Sequence, residues 1–183
     1  MSTEQHHATI FLPPDVAGPI EEARRRWDPV MAAQIAAHVT LAYPREAPPS
    51  DLLVLRLHAV SRIVAPFRLR LGRLGYHERP ETGVHVEVAD IDGGHARMRE
   101  ALLCPPFYHY AYPPHVTIVH PRTSTRGREC WESGAFEPRE CEFTVEDVTV
   151  IAFDGARWIV LARCPLMGHR LEKDGLARLR NSA

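Results

Sequence analysis

Seven residues starting at His38 read His-Val-Thr-Leu-Ala-Tyr-Pro, and seven starting at His115 read His-Val-Thr-Ile-Val-His-Pro. Histidine, valine, threonine and proline match in register, and leucine is answered by isoleucine, at an offset of 77 residues from His38 to His115. Over its first four positions each stretch alternates polar and apolar side chains in a composition that favours extended backbone, so each is expected to be a half-buried strand. Period two then puts His38 and Thr40 on one face with Val39 and Leu41 on the other, and does the same for His115 and Thr117 against Val116 and Ile118. Two imidazoles of ordinary pKa near ~6.5, each with a hydroxyl beside it, suit in-line displacement at a phosphodiester. One takes the nucleophile's proton, the other protonates the leaving oxygen, and the threonines donate to the non-bridging oxygens. A lone strand histidine is commonly structural. Two structural histidines would not each need a threonine at the same offset and on the same face.

Two copies point to a duplicated half rather than a solenoid, which needs three or more repeats. The elements that would position the copies alternate between helix and strand. Val16, Ile20, Ala23 and Trp27 fall at helical spacing after Asp15, a candidate N-cap, with Pro29 as a stop, giving a helix near 16–27. A second helix is expected from Ser50 to about Val64, and a third near 92–104, its start weakened by Gly93 and Gly94. Strands are expected at Thr9 to Leu12, around Phe67-Leu69-Leu71 and around Val84-Val86-Val88. Phe143 to Phe153 and Trp158 to Cys164 flank Asp154-Gly155, a hairpin signal. Residues 123–139 read as loop with a short helix, and residues 1–7 and 167–183 as flexible tails of a single domain spanning 1–183.

The bulk numbers narrow the partners. A chain of 183 residues with 45% hydrophobic and 25% charged residues is long enough to bury a core and is not of disordered composition. A formal net charge of -1 supplies no whole-molecule attraction to duplex nucleic acid or anionic membrane, so a small or locally gripped anionic substrate fits better. No stretch has the run of apolar residues a membrane span needs, and the start lacks a secretory pattern, so a cytoplasmic protein is the expectation, with monomer the default for so compact a pattern. Cys104, Cys130, Cys141 and Cys164 form no Cys-x-x-Cys pair and read as free thiols. No clustered ligand set signals a metal, and His6-His7 is expected on a mobile terminus.

The paired His-x-Thr strands, one per half of a chain near this length, resemble the 2H phosphoesterase superfamily, which includes 2′,5′ RNA ligase-like proteins and 2′,3′-cyclic nucleotide phosphodiesterases. The resemblance covers about residues 8–166, including the closing hairpin and Cys164-Pro165-Leu166. It implies an α+β, bilobal fold of two pseudo-symmetric α/β halves, with antiparallel sheets facing a central cleft. It also implies no metal or organic cofactor, and His38, Thr40, His115 and Thr117 at the motif positions. The implied substrate is a nucleotide or RNA end carrying a cyclic phosphate or a 2′,5′ linkage, opened by water or, in some members, joined. A cyclic oligonucleotide phosphodiesterase and a non-catalytic nucleotide- or RNA-binding module are alternative readings, and a metal-dependent phosphodiesterase is a further one that chelation would separate.

Around the motifs the readings divide. Tyr76, following a strand, is a candidate to stack on a base, against ordinary half-burial. Arg68, Arg70 and Arg73 are candidates for phosphate, against exposed strand arginines. His85 and Glu87 share a face on which a carboxylate can tune an imidazole, against a solvated strand face. Tyr43 and His120, at equivalent repeat positions, either edge the cleft or pack on the prolines that follow them. Arg24, Arg25 and Arg26 read as a solvated charge run on a helix.

Overall fold

Thirteen elements follow the expected alternation in a computed structural model that describes residues 5–48, 51–78, 82–155 and 157–169. They are β1 (Gln5–Phe11), α1 (Pro14–Trp27), α2 (Pro29–Gln34), β2 (His38–Ala42), α3 (Asp51–Val60), β3 (Phe67–His77), β4 (Gly83–Asp90), α4 (Gly94–Leu102), β5 (His115–Val119), α5 (Gly127–Glu132), β6 (Cys141–Val145), β7 (Asp147–Phe153) and β8 (Trp158–Pro165). The first helix begins one residue before Asp15, which lies in its first turn, and Pro13 occupies the cap position. Pro29 ends α1 and also starts α2, because the Asp28 side chain caps the new helix by accepting from the Met31 backbone N–H at 3.0 Å.

The strands form one antiparallel sheet in the order β6-β3-β4-β5-β2-β1-β7-β8. Its two halves, β6-β3-β4-β5 and β2-β1-β7-β8, are related by order about the centre, where β2 meets β5 through Val39 opposite Val116. Both residues are the second of their motif, so the local two-fold passes between them. The antiparallel register puts His38 level with Thr117 and Thr40 level with His115. In each half a helix links the two central strands, α1 between β1 and β2 and α4 between β4 and β5. The expected halves are therefore present and are joined edge to edge into one sheet.

The helix-facing side chains of the central strands belong to one buried cluster. Ile10, Val39, Leu41, Val86, Val116 and Ile118 of the central strands pack with Ile20, Ala23 and Trp27 of α1, Leu53 and Leu57 of α3, Met98 and Leu102 of α4 and Cys130 of α5. One face of the sheet is thus covered by helices, and period two leaves the His-x-Thr side chains on the other.

Two expectations need correcting. The segment from Phe143 to Phe153 is two strands, because the buried phase slips at Glu146-Asp147: Phe143 and Val145 face inward, then Val148 and Val150 do. β6 pairs with β3 in one half and β7 with β1 in the other, so the chain changes halves there. Residues 5–7, expected in a tail, are strand, since Gln5, His6 and His7 pair with Phe153, Ala152 and Ile151. At the other end the Met167 and Gly168 N–H groups donate to Ser61 O and Val64 O. Residues 1–4 and 170–183 of the expected tails lie outside the described residues. No described helix is long and apolar enough to cross a membrane.

Candidate active site

His38 and His115 are held the same way. His38 Nδ1 lies 2.8 Å from Ala36 O and His115 Nδ1 lies 2.9 Å from Pro113 O, in each case the carbonyl two residues upstream. A carbonyl can only accept, so Nδ1 carries the proton and Nε2 is left as the basic nitrogen of a neutral ring. Burial pushes His38 down to about 4, with Arg24 and His115 adding to the shift and the Ala36 carbonyl opposing it. His115 is lowered as well, by burial first and then by His77, against the pull of Pro113. Both rings are therefore neutral near pH 7 and can accept a proton. An anionic phosphoryl group facing either one would favour its imidazolium form.

The threonines differ in setting. Thr40 is buried and shares a side-chain hydrogen bond with Tyr43, whose phenol is pushed up to about 12 by burial and so keeps its proton. Thr117 is half-buried, with His85 opposite it on β4. His85 meets His115 edge-on at 5.3 Å, and His77 stands 5.9 Å from His85, making a row of three imidazoles across β3, β4 and β5. Glycine makes room for that row: a Cβ on Gly75 would lie 2.4 Å from His85 Nε2, and one on Gly83 would lie 2.2 Å from His77 Cε1. Burial lowers His85 to about 4, with His115 and His77 contributing and Glu87 opposing. Among the described residues no group of three His, Cys, Asp or Glu side chains is arranged to hold a metal ion.

Two buried arginines fix the segments that enter the motif strands. Arg99 of α4 pairs with Glu46 at 2.6 Å and donates to Leu41 O and Tyr110 O, while Glu46 also accepts from the Tyr43 and Tyr110 backbone N–H groups. This ties the exit of β2 to the loop leading into His115. Arg24 of α1 pairs with Glu21 at 2.9 Å and donates to Ile35 O at 2.7 Å, and Glu21 accepts from Ala37 N, which holds the loop leading into His38. Asp28 accepts from His120 N at 2.9 Å and from the Thr123 hydroxyl at 2.7 Å, anchoring the exit of β5 to the α1–α2 junction.

The structure brings His38, Thr40, His115, Thr117, Tyr43 and His85 to the open face. Tyr76 is on the other face. A bulge between Leu71 and Leu74 shifts the phase of β3 by one, so Tyr76 pairs with Val84 on the helix side and stacks on Trp131 of α5 at 5.3 Å. Arg68 is bonded to Asp92 at 3.0 Å and to Glu142 at 3.3 Å, and Arg70 to Glu140 at 3.5 Å, at the β6 edge rather than beside the histidines. Arg73 pairs with Glu87 at 3.0 Å. His120 sits at the exit of β5, its Nδ1 accepting from Arg122 N. Arg24, expected in a solvated run, is buried. Sequence reasoning passed over Glu46, Arg99 and the tyrosines of 108–112; three tyrosines on alternate residues before Pro113-Pro114 were the available signal for the last.

A family model described as the 2′-5′ RNA ligase superfamily matches residues 12–157, most of the chain. The chain belongs to the 2′-5′ RNA ligase superfamily. This agrees with the 2H phosphoesterase resemblance drawn from the two motifs. No curated protein matches it in sequence. Solved structures show its fold. The apo form of Escherichia coli LigT has a TM-score of 0.64 at 18% identity over 90% of this chain and 98% of that one. A crystal structure titled phosphoesterase has 0.65 at 19%, over 89% and 98%. The Thermus thermophilus protein TT0787 has 0.62 at 20%, over 91% and 100%. LigT has also been solved with 3′-AMP, at a TM-score of 0.63 and 20% identity over 89% and 98%. In this superfamily member both copies of the motif lie on the open face, at the centre of the shared sheet.

Proposed function

We propose that the protein is a metal-independent phosphodiesterase acting on a 2′,3′-cyclic phosphate or 2′,5′ phosphodiester at a nucleotide or RNA end. The observation that carries this reading is the matched pair of imidazoles, each with Nδ1 bound to the carbonyl two residues upstream and Nε2 left basic. In hydrolysis, one neutral Nε2 takes a proton from water as the water oxygen bonds to phosphorus. The P–O bond to the ribose oxygen breaks, and the other imidazole, protonated beside the phosphate, gives its proton to that oxygen. Thr40 and Thr117 donate to the non-bridging oxygens, with Tyr43 orienting the Thr40 hydroxyl. Membership of the 2′-5′ RNA ligase superfamily and a similar fold solved with 3′-AMP support a nucleotide substrate.

The test is product-resolved turnover of the four nucleoside 2′,3′-cyclic phosphates in EDTA by the wild type, His38→Ala and His115→Ala. Metal-free opening that each substitution cuts by roughly 10²–10⁴-fold is expected. Full turnover in both variants, or turnover restored only by a divalent ion, would overturn the reading.

A further inference from the structure

Four tyrosines outside the four reacting side chains form a continuous stripe that starts at the motif. Tyr43, bonded to Thr40, meets Tyr112 edge-on at 4.7 Å; Tyr112 lies 5.9 Å from Tyr110; and Tyr110 stacks near-parallel on Tyr108 at 6.3 Å and 22°. The rings become more open outward, with Tyr110 44% and Tyr108 61% exposed. Exposed Arg45 lies along the stripe, its guanidinium donating to the Tyr112 hydroxyl at 3.1 Å. The backbone beneath is held by hydrogen bonds. Tyr108 N donates to Glu46 O, Tyr110 N to Glu46 Oε1, and Arg99 donates to Tyr110 O. A loop so held presents its rings at a reduced ordering cost at the moment of binding. The positions 77 residues earlier, Met31, Ala33 and Ile35, hold no aromatic ring, so the first half has no counterpart of the 108–112 tyrosines.

We propose that Tyr108, Tyr110 and Tyr112, with Arg45, are a stacking track for the bases of a single-stranded RNA whose reacting end lies between the two His-x-Thr strands. The proposal rests on the phosphodiesterase reading above and narrows its substrate to an RNA chain rather than a mononucleotide. Every base has a π-face, so aromatic rings grip successive nucleotides without reading sequence, and a cation beside them meets the backbone. Stacking also removes the need for a strongly basic surface, which a chain of net charge -1 does not have. Because the track begins at Tyr43, beside Thr40, the nucleotides adjoining the reacting phosphate are the ones it holds.

The test measures kcat/KM for mono-, di- and tetraribonucleotides ending in a 2′,3′-cyclic phosphate, in EDTA at fixed ionic strength. The wild type is expected to gain roughly tenfold for each of the first added nucleotides. The tetranucleotide-to-mononucleotide ratio should fall toward one in Tyr108→Ala/Tyr110→Ala and persist in Tyr108→Phe/Tyr110→Phe, which keeps the rings. Reading a ratio within each variant removes any loss of folded protein from the comparison. A flat ratio in the wild type, or one unchanged in the alanine variant, overturns the track. If no substrate of any length turns over, the cyclic-phosphate form of the phosphodiesterase reading has failed, and the track is judged by anisotropy of a 5′-labelled tetraribonucleotide. Binding weakened about tenfold or more in the alanine variant sustains it, and equal or absent binding overturns it. A flat ratio with a wild-type dimer that the alanine variant dissolves would assign the stripe to a second copy of the chain.

Discussion

His38 has Phe11 edge-on at 6.1 Å, whereas His115 has His85 edge-on at 5.3 Å, although both rings hydrogen-bond the carbonyl two residues before them. The difference extends outward. On β1, Thr9 stands opposite Thr40, while on β4 His85 stands opposite Thr117. The loop before His38 is held by Arg24 and Glu21 on a single helix, and the loop before His115 by Arg99 and Glu46 from opposite halves. The two copies keep what hydrogen-bonds the imidazoles and differ in the ring beside each histidine and the residue opposite each threonine. A near-symmetric centre in unlike flanks suits proton transfer at both histidines, in opposite directions, on a ligand that is not symmetric.

The largest effect that could break this comparison is at the centre. If the imidazoles work as a pair, His38→Ala/His115→Ala should be little worse than either single variant, because residues acting as a unit are strongly non-additive. Simple multiplication of two large losses, measured as kcat/KM, would instead mean that the halves act separately. Next come the two arginines. Arg99→Met strands Glu46, which is wholly buried, and should cost about 3–5 kcal/mol in denaturant unfolding. Arg24→Met leaves Glu21, whose side chain is 20% exposed, able to meet water, and should cost about 1–3 kcal/mol. Equal losses would show that the halves are fixed alike. The smallest effect is expected from His85→Thr, which gives the second half the residue of the first. Losing an edge-on ring contact of ~0.5–1.5 kcal/mol should lower kcat/KM about two- to tenfold; a loss as large as that of His115→Ala would make His85 a third reacting group.

The centre of the site was legible in the sequence because it is periodic and repeated. Alternation of His-Val-Thr-Leu and His-Val-Thr-Ile gives strand, face and duplication at once, and the helix over 16–27 declares itself by its apolar spacing. Features that depend on a phase slip or a distant partner were not legible. The bulge after Leu71 turned Tyr76 to the helix side, and the slip at Glu146-Asp147 sent β7 to the other half. Burial of Arg24 inside a run of three arginines follows from Glu21 and Ile35 O, and that of Arg99 from Glu46, 53 residues away. Tyr108, Tyr110 and Tyr112 alternate as in a strand, but His109 and Ala111 between them are exposed and supply no core-facing phase.

The central claim is that each half supplies one proton-handling imidazole of lowered pKa. It is tested most directly by the pH dependence of kcat/KM in EDTA for the wild type and the two single alanine variants. With His38 at about 4 and His115 also below its ordinary value, both essential pKa values of the free protein lie under ~6.5, so a bell with its maximum on the acid side of that value is expected. Each variant should keep its residual activity with one limb of the bell gone. A profile that keeps both limbs when either histidine is removed would contradict the account.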